Sequence, residues 1–141
     1  MKSFSTLLLF ALVVTACRDD AGVTGLVDDY IDQRNAQAEV LCDCHQELGF
    51  ENRSSCLRDN GQILPAKRRC IIDAFERNES ASTDFLECYL PLEDEFRACL
   101  DDRLTCNDFQ AATACVEDYD IGSRDCITLP AAIERAYKDC F

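Results

Sequence analysis

Between Cys42 and Cys140 ten cysteines recur, at intervals of seven to eighteen residues apart from the close neighbours Cys42 and Cys44. No other feature limits the fold so strongly. A disulfide needs two Cα atoms about 4.4–6.8 Å apart, so any fold for this chain must bring its elements together pair by pair. The ten are Cys42, Cys44, Cys56, Cys70, Cys88, Cys99, Cys106, Cys115, Cys126 and Cys140, and an eleventh, Cys17, stands well ahead of them. Such a density in an exported region most often means a disulfide framework, five bonds here.

The elements to be stapled are helical by pattern. From about Leu26 to Leu48, residues at 100° steps place Val27, Tyr30, Ala38, Leu41 and Leu48 on one stripe, and Gly49 supplies a stop. A short turn of helix is expected around Ser54 to Asp59, ended by Asn60-Gly61. Pro65 suits the first position of the next helix, where its missing N–H costs nothing; that helix should run to about Asn78 with Cys70, Ile71, Ala74 and Phe75 on its apolar face. Ser80, Ser82 or Asp84 can cap a following stretch showing Phe85, Tyr89, Leu92, Phe96, Cys99 and Leu100, which Pro91 should kink or break in two. Asn107 or Asp108 opens a helix through Phe109, Ala112, Cys115 and Val116 that stops near Gly122. Pro130 opens the last, with Ile133, Ala136, Tyr137 and Cys140 on its face. No alternating strand pattern of useful length occurs. The expected fold class is all-α: a disulfide-rich bundle or stack of five to six short amphipathic helices.

Ten sulfurs allow on the order of a thousand pairings. In two antiparallel helices, residues equidistant from the turn face each other, so bonds should nest around turns. This predicts Cys44–Cys56 around Gly49, Cys70–Cys88 around Ser80, and Cys115–Cys126 within Cys106–Cys140, which leaves Cys42 for Cys99. On the first helix Cys42 and Cys44 fall about 160° apart, so they cannot join each other and should staple neighbours on either side. The rival use of the sulfurs is metal or redox chemistry. Cys42-Asp43-Cys44-His45 has neither the C-x-x-C-H of haem attachment nor the spacing of a zinc site, and the redox C-x-x-C is absent. His45 is read as a structural histidine near the apolar stripe.

The N-terminal stretch concerns targeting. Lys2 precedes an uncharged run from Ser3 to Ala16, greasiest from Leu7 to Val14 and several residues short of the roughly 20 that span a bilayer. It closes on Leu12-Val13-Val14-Thr15-Ala16-Cys17. These residues resemble the lipobox of bacterial lipoproteins, with Val14, Thr15 and Ala16 in the three positions before the Cys. The resemblance implies that residues 1–16 are a cleaved signal peptide. It implies also that Cys17 becomes the first residue of the mature chain, with a diacylglyceryl group on its sulfur and usually a third fatty acyl chain, such as palmitate, on its amino group. Each buried methylene contributes about 0.8 kcal/mol, so two or three chains hold almost permanently. Parity agrees: with Cys17 lipidated, ten cysteines can pair completely. The alternative is an ordinary secretory signal cut after Ala16 and a secreted protein. Arg18 in place of Asp after the lipidated Cys points to the outer rather than the inner membrane. Residues 17–25, with Asp19, Asp20, Gly22 and Gly25, read as a tether of less than about 30 Å, and 26–141 as one cysteine-rich domain.

With the signal removed, 13 basic residues face 27 acidic ones, a side-chain charge of about −14. Such a surface repels nucleic acid and anionic lipid, and any partner held electrostatically should be cationic or a metal ion. Glu93-Asp94-Glu95 and Asp101-Asp102 are read as solvated faces of a helix, and Lys67-Arg68-Arg69 as pairing with the protein's own acids rather than docking an anionic partner. Glu117-Asp118-Tyr119-Asp120-Ile121-Gly122 with Asp125 departs from a calcium loop, having Gly122 one place early and Leu129 where the bidentate Glu belongs, and is read as a solvated acidic turn. Asn52-Arg53-Ser54 and Asn78-Glu79-Ser80 are glycosylation sequons in form alone. With no Trp, one His and one Met, no catalytic constellation assembles and no cofactor is expected. The expected function is that of a non-enzymatic envelope lipoprotein, held to the membrane by its N-terminal lipid and serving as a binding or structural module for an unidentified protein partner. The alternative is a metal-handling or thiol-redox periplasmic protein using free thiols with His45.

Overall fold

The computed structural model describes residues 22–141. Among them six α-helices follow one another: α1 (Gly22–Cys42), α2 (Arg53–Asp59), α3 (Pro65–Phe75), α4 (Glu79–Arg103), α5 (Gln110–Ser123) and α6 (Ala131–Lys138), with a 3-10 turn (Glu76–Asn78) joining α3 to α4. The regular structure of the described residues otherwise holds only an isolated bridge, Thr105 to Asp108, in the α4–α5 turn. The chain is all-α and disulfide-rich, as its periodicity predicts.

Local chemistry sets most helix ends. Pro65 opens α3 at its first turn. Asn52 and Asn78 cap α2 and α4, their side-chain oxygens accepting from Ser55 N at 2.9 Å and Ala81 N at 3.3 Å. The two sequon-like triplets are thus cap motifs here. Asn78, not Ser80, Ser82 or Asp84, caps α4; Ser82 is buried and donates to the Phe75 carbonyl at 2.7 Å. Gly49 and Gly61 stop their segments at φ +82° and +81°, where a Cβ would be strained.

Three expectations about the helices need correcting. The first helix already runs at Gly22, so Gly22 and Gly25 are helical and not tether; it ends at Cys42, and residues 43–49 form tight turns, with His45 N bonded to Cys42 O and Phe50 N to His45 O. Leu48 therefore falls off the stripe and is exposed. Pro91 lies inside α4 and does not break it in two. It is exposed, as is Glu87, whose carbonyl loses its helical donor to the proline ring and has water at hand instead. Finally, Val116 is exposed, while Ala112 and Cys115 of the same helix are buried.

Contacts along the helices give their directions. Thr24 reaches Glu76 and Gln37 reaches Glu93, so residue numbers climb together on α1 and α4, which run parallel. Asn35 meets Ile63 and Asp28 meets Arg68, which sets α3 antiparallel to α1. Cys99 joins Cys115 and Cys88 joins Cys126, which sets α5 antiparallel to α4. The main apolar cluster fills the space between α1, α3, α4 and α6 with Val23, Val27, Ile31, Ile71, Ile72, Phe75, Leu86, Leu90 and Ile133. Side chains of this size contribute about 1.5–3 kcal/mol each when fully buried. A second cluster (Ala38, Cys42, Cys56, Leu57) joins α1 to α2, and a third (Leu100, Ala112, Cys115) lies where α4 and α5 meet the end of α1.

All ten described cysteines are paired, but in none of the five combinations that nesting predicts. The bonds are Cys42–Cys56, Cys44–Cys106, Cys70–Cys140, Cys88–Cys126 and Cys99–Cys115. Cys44–Cys56, Cys70–Cys88, Cys115–Cys126, Cys106–Cys140 and Cys42–Cys99 are all wrong. The turn at Gly49 is spanned as expected, but by Cys42 in place of Cys44, while the other turns chosen as centres of nesting, at Ser80 and between Cys115 and Cys126, are not the ones the sulfurs span. Cys88–Cys126 and Cys99–Cys115 do nest, and both are centred on Asn107, in the α4–α5 turn. Cys44–Cys106 ties together the ends of two parallel helices, a relation that no sequential hairpin contains. The divergence of Cys42 and Cys44 holds: one sulfur goes to α2 and the other to the turn after α4.

Candidate functional site: a polar layer across the helices

Glu93 is 1% exposed. The sequence places Glu93-Asp94-Glu95 on a solvated face; Asp94 and Glu95 are exposed as expected, and Glu93 is the correction. The stripe of α4 that meets α1 is Leu86, Leu90, Glu93 and Leu100, one residue round the wheel from the aromatic stripe that the pattern suggests. Phe85, Tyr89, Leu92, Phe96 and Cys99 are only half-buried, and Phe96 and Cys99 pack against the third cluster, on the side of α5. The signal was present in the spacing. Leu86, Leu90 and Glu93 follow at four and three residues, and Leu100 lies seven further on, so the carboxylate occupies a core position.

Its partners come from two other helices, Gln37 buried and Tyr119 and Arg34 half-buried. Gln37 of α1, 4% exposed, donates from Nε2 to Glu93 Oε2 and also to the Glu93 carbonyl at 3.1 Å. Tyr119 of α5 donates its hydroxyl to Glu93 Oε1 at 2.6 Å. Arg34, one turn before Gln37, holds Nη1 3.9 Å from Glu93 Oε2 and 3.4 Å from Gln37 Oε1. Both carboxylate oxygens are engaged by internal donors, which removes most of the penalty of burying them. The layer divides the apolar interior, with Val27, Ile31, Leu86 and Leu90 to one side and Ala38, Cys42 and Leu100 to the other.

The neighbouring phenols feel the same environment. Burial first, and then the hydrogen bond to Glu93, hold the Tyr119 hydroxyl protonated well above the usual tyrosine range. Tyr30 is pushed up in the same direction, by burial and then by Tyr137, whose hydroxyl lies 3.5 Å away. Burial works against the charge of Arg34, and Tyr30 and Glu93 beside it more than compensate. Chemically the layer is a closed set of donors and acceptors that fixes how α1, α4 and α5 are seated on one another.

Beside it a groove of about 130 Å³ opens between α4 and α5, lined by Leu92, Glu95, Phe96, Cys99, Cys115, Asp118 and Tyr119. The Phe96 and Tyr119 rings stand 5.0 Å apart in its wall. The segment from Glu117 to Gly122, read as an acidic turn, is helical in α5, so its carboxylates are spread around a helix rather than gathered in a loop. No protein-family model matches the chain, and neither the curated proteins nor the solved structures contain a match to it.

The remaining residues singled out by sequence are placed as follows. His45 is half-buried in the turn after α1, with Nδ1 3.2 Å from the Cys42 carbonyl. Arg68 pairs with Asp28, Arg69 pairs with Asp73 at 2.8 Å, and Lys67 sits 4.5 Å above the Phe141 ring, so the basic cluster is engaged with the protein's own groups. Among the described residues no three metal-ligating side chains converge, and no helix is long and apolar enough to cross a membrane. Cys17 and the whole of 1–16 lie outside the described residues.

Proposed function

We propose that the protein is a lipid-anchored module of the bacterial cell envelope, a disulfide-stapled helical domain that binds or supports a protein partner at the membrane surface. The observation that carries this reading is cysteine parity. Five bonds use Cys42 to Cys140 completely, so of eleven cysteines only Cys17 is left without a partner within the chain. It stands at the position that the lipobox of bacterial lipoproteins assigns to the lipidated residue. An oxidising envelope compartment keeps the five bonds, and Arg18 favours the outer membrane. The alternative of a metal-handling or thiol-redox protein draws on free thiols beside His45, and Cys42 and Cys44 spend theirs in two separate disulfides.

The test is the intact mass of protein extracted from its native membrane, with and without reduction and alkylation. A chain beginning at Cys17 with the added mass of a diacylglyceryl group and a third acyl chain, and ten alkylations only after reduction, is the expected result. Cys17→Ser should leave the protein unprocessed and without the acyl mass. An unmodified mature chain in the soluble fraction would sink the anchor and leave the secreted reading.

A further inference from the structure

Cys70 is the exposed member among the ten described cysteines; the other nine are half-buried or buried. Its bond to Cys140 ties the end of α6 to α3, the helix against which α6 chiefly packs. With eight residues, α6 is too short to keep its helix alone and depends on what holds it in place. Ile133 and Ala136 are its buried contacts, and Tyr137 covers an aromatic group, its ring 5.9 Å from Phe75 and 6.4 Å from Tyr30. The longer helices behind it, α1 and α4, are joined to the rest by the other four bonds and by the polar layer. We propose that Cys70–Cys140 is a thiol-sensitive latch, which a small thiol opens ahead of the other four bonds, releasing α6 and baring the aromatic face of Tyr30 and Phe75.

The exchange is a balanced two-electron step. A thiolate of the glutathione class attacks Cys70 Sγ and forms a mixed disulfide there, while the Cys70–Cys140 bond breaks and its electron pair leaves on Cys140 Sγ. A second small thiolate attacks the outer sulfur, so Cys70 departs as a thiolate and the small thiols leave as their own disulfide. Exposure makes Cys70 the sulfur attacked.

The test is graded reduction by glutathione of the full chain carrying Cys17→Ser, so that no other thiol is present, with alkylation and peptide mapping at each time. Cys70 and Cys140 should be alkylated about tenfold sooner than any other pair, since access governs the rate of exchange. Amide hydrogen exchange across Ile133–Lys138 should rise in the same step while α1 and α4 keep their protection. First opening at Cys88–Cys126, or at any other bond, would overturn the proposal. So would simultaneous opening of all five, or α6 amides that stay protected once Cys70–Cys140 is reduced. The chain Cys70→Ser/Cys140→Ser gives a second reading, and α6 amides as protected in it as in the parent would overturn the latch equally.

Discussion

Glu93 concentrates the energetics of the interior on one carboxylate. A buried charge is tolerable when its oxygens are bonded, and removing one member leaves the others buried without partners. Glu93→Ala should therefore cost about 3–5 kcal/mol in urea unfolding, because Gln37 and Tyr119 lose their acceptor as well as their packing. Tyr119→Phe, which removes one donor and keeps the ring against Phe96, should cost only about 1–2 kcal/mol. A loss for Glu93→Ala no larger than that for Tyr119→Phe would mean the layer is wetter than its burial indicates. The phenols add a dependence on pH. Tyr119 and Tyr30 have hydroxyls raised above the ordinary value of 10.0, so above that pH the unfolded chain releases protons that the folded chain retains. The unfolded state then binds fewer protons, and stability falls as pH rises. The stabilisation is complete below pH 10 and declines above it, and Tyr119→Phe should flatten the alkaline limb of a stability curve.

Helices in this chain are delimited by side chains that the sequence displays openly, and their faces are set by neighbours that it does not display. Pro65, Asn52, Asn78 and Gly61 mark helix starts and stops through φ restriction, capping or positive φ, and Gly49 ends the turns that follow α1, all of them local effects. Pro91 looks like the same kind of signal and is not, since α4 continues through it on an exposed face. Packing against α1 on one side and α5 on the other holds the helix together where propensity alone would break it. Pro91→Ala should accordingly raise stability by up to about 3 kcal/mol, as the Glu87 carbonyl regains its donor. A loss of stability instead would show that the proline ring helps seat Glu93 between Gln37 and Tyr119. The face of α4 was harder to read because the helix is covered on two sides. Its aromatic residues form the more conspicuous stripe, and the stripe turned towards α1 contains a Glu.

Across the whole molecule the disulfides and the polar layer divide the labour. Cys88–Cys126 and Cys99–Cys115 clamp the α4–α5 hairpin, Cys42–Cys56 holds α2, and Cys44–Cys106 joins the ends of the parallel pair α1 and α4. Cys44–Cys106 closes a sequence separation of 62 and Cys99–Cys115 one of 16, and each couples one buried with one half-buried cysteine. On chain entropy, replacing Cys44 and Cys106 together by Ala should cost about 1 kcal/mol more than replacing Cys99 and Cys115. Thermal unfolding of the two double variants compares them directly, and equal losses would show that native-state packing, not loop closure, sets the value of these bonds.

The sequence by itself determined that the chain is helical, where most helices begin and end, and that its cysteines would be bonded, because periodicity, capping and sulfur count are properties of residues and their near neighbours. Only the tertiary structure decided which sulfurs meet, and that Glu93 belongs to the interior. Both depend on α1 and α4 lying parallel although α3 runs back between them. A relation between elements far apart in the chain leaves no mark on the spacing within either one. Three of the five bonds do flank a turn, one at Gly49 and two at Asn107, but which turns and which cysteines are used was chosen by packing, and the other two bonds join elements far apart in the chain.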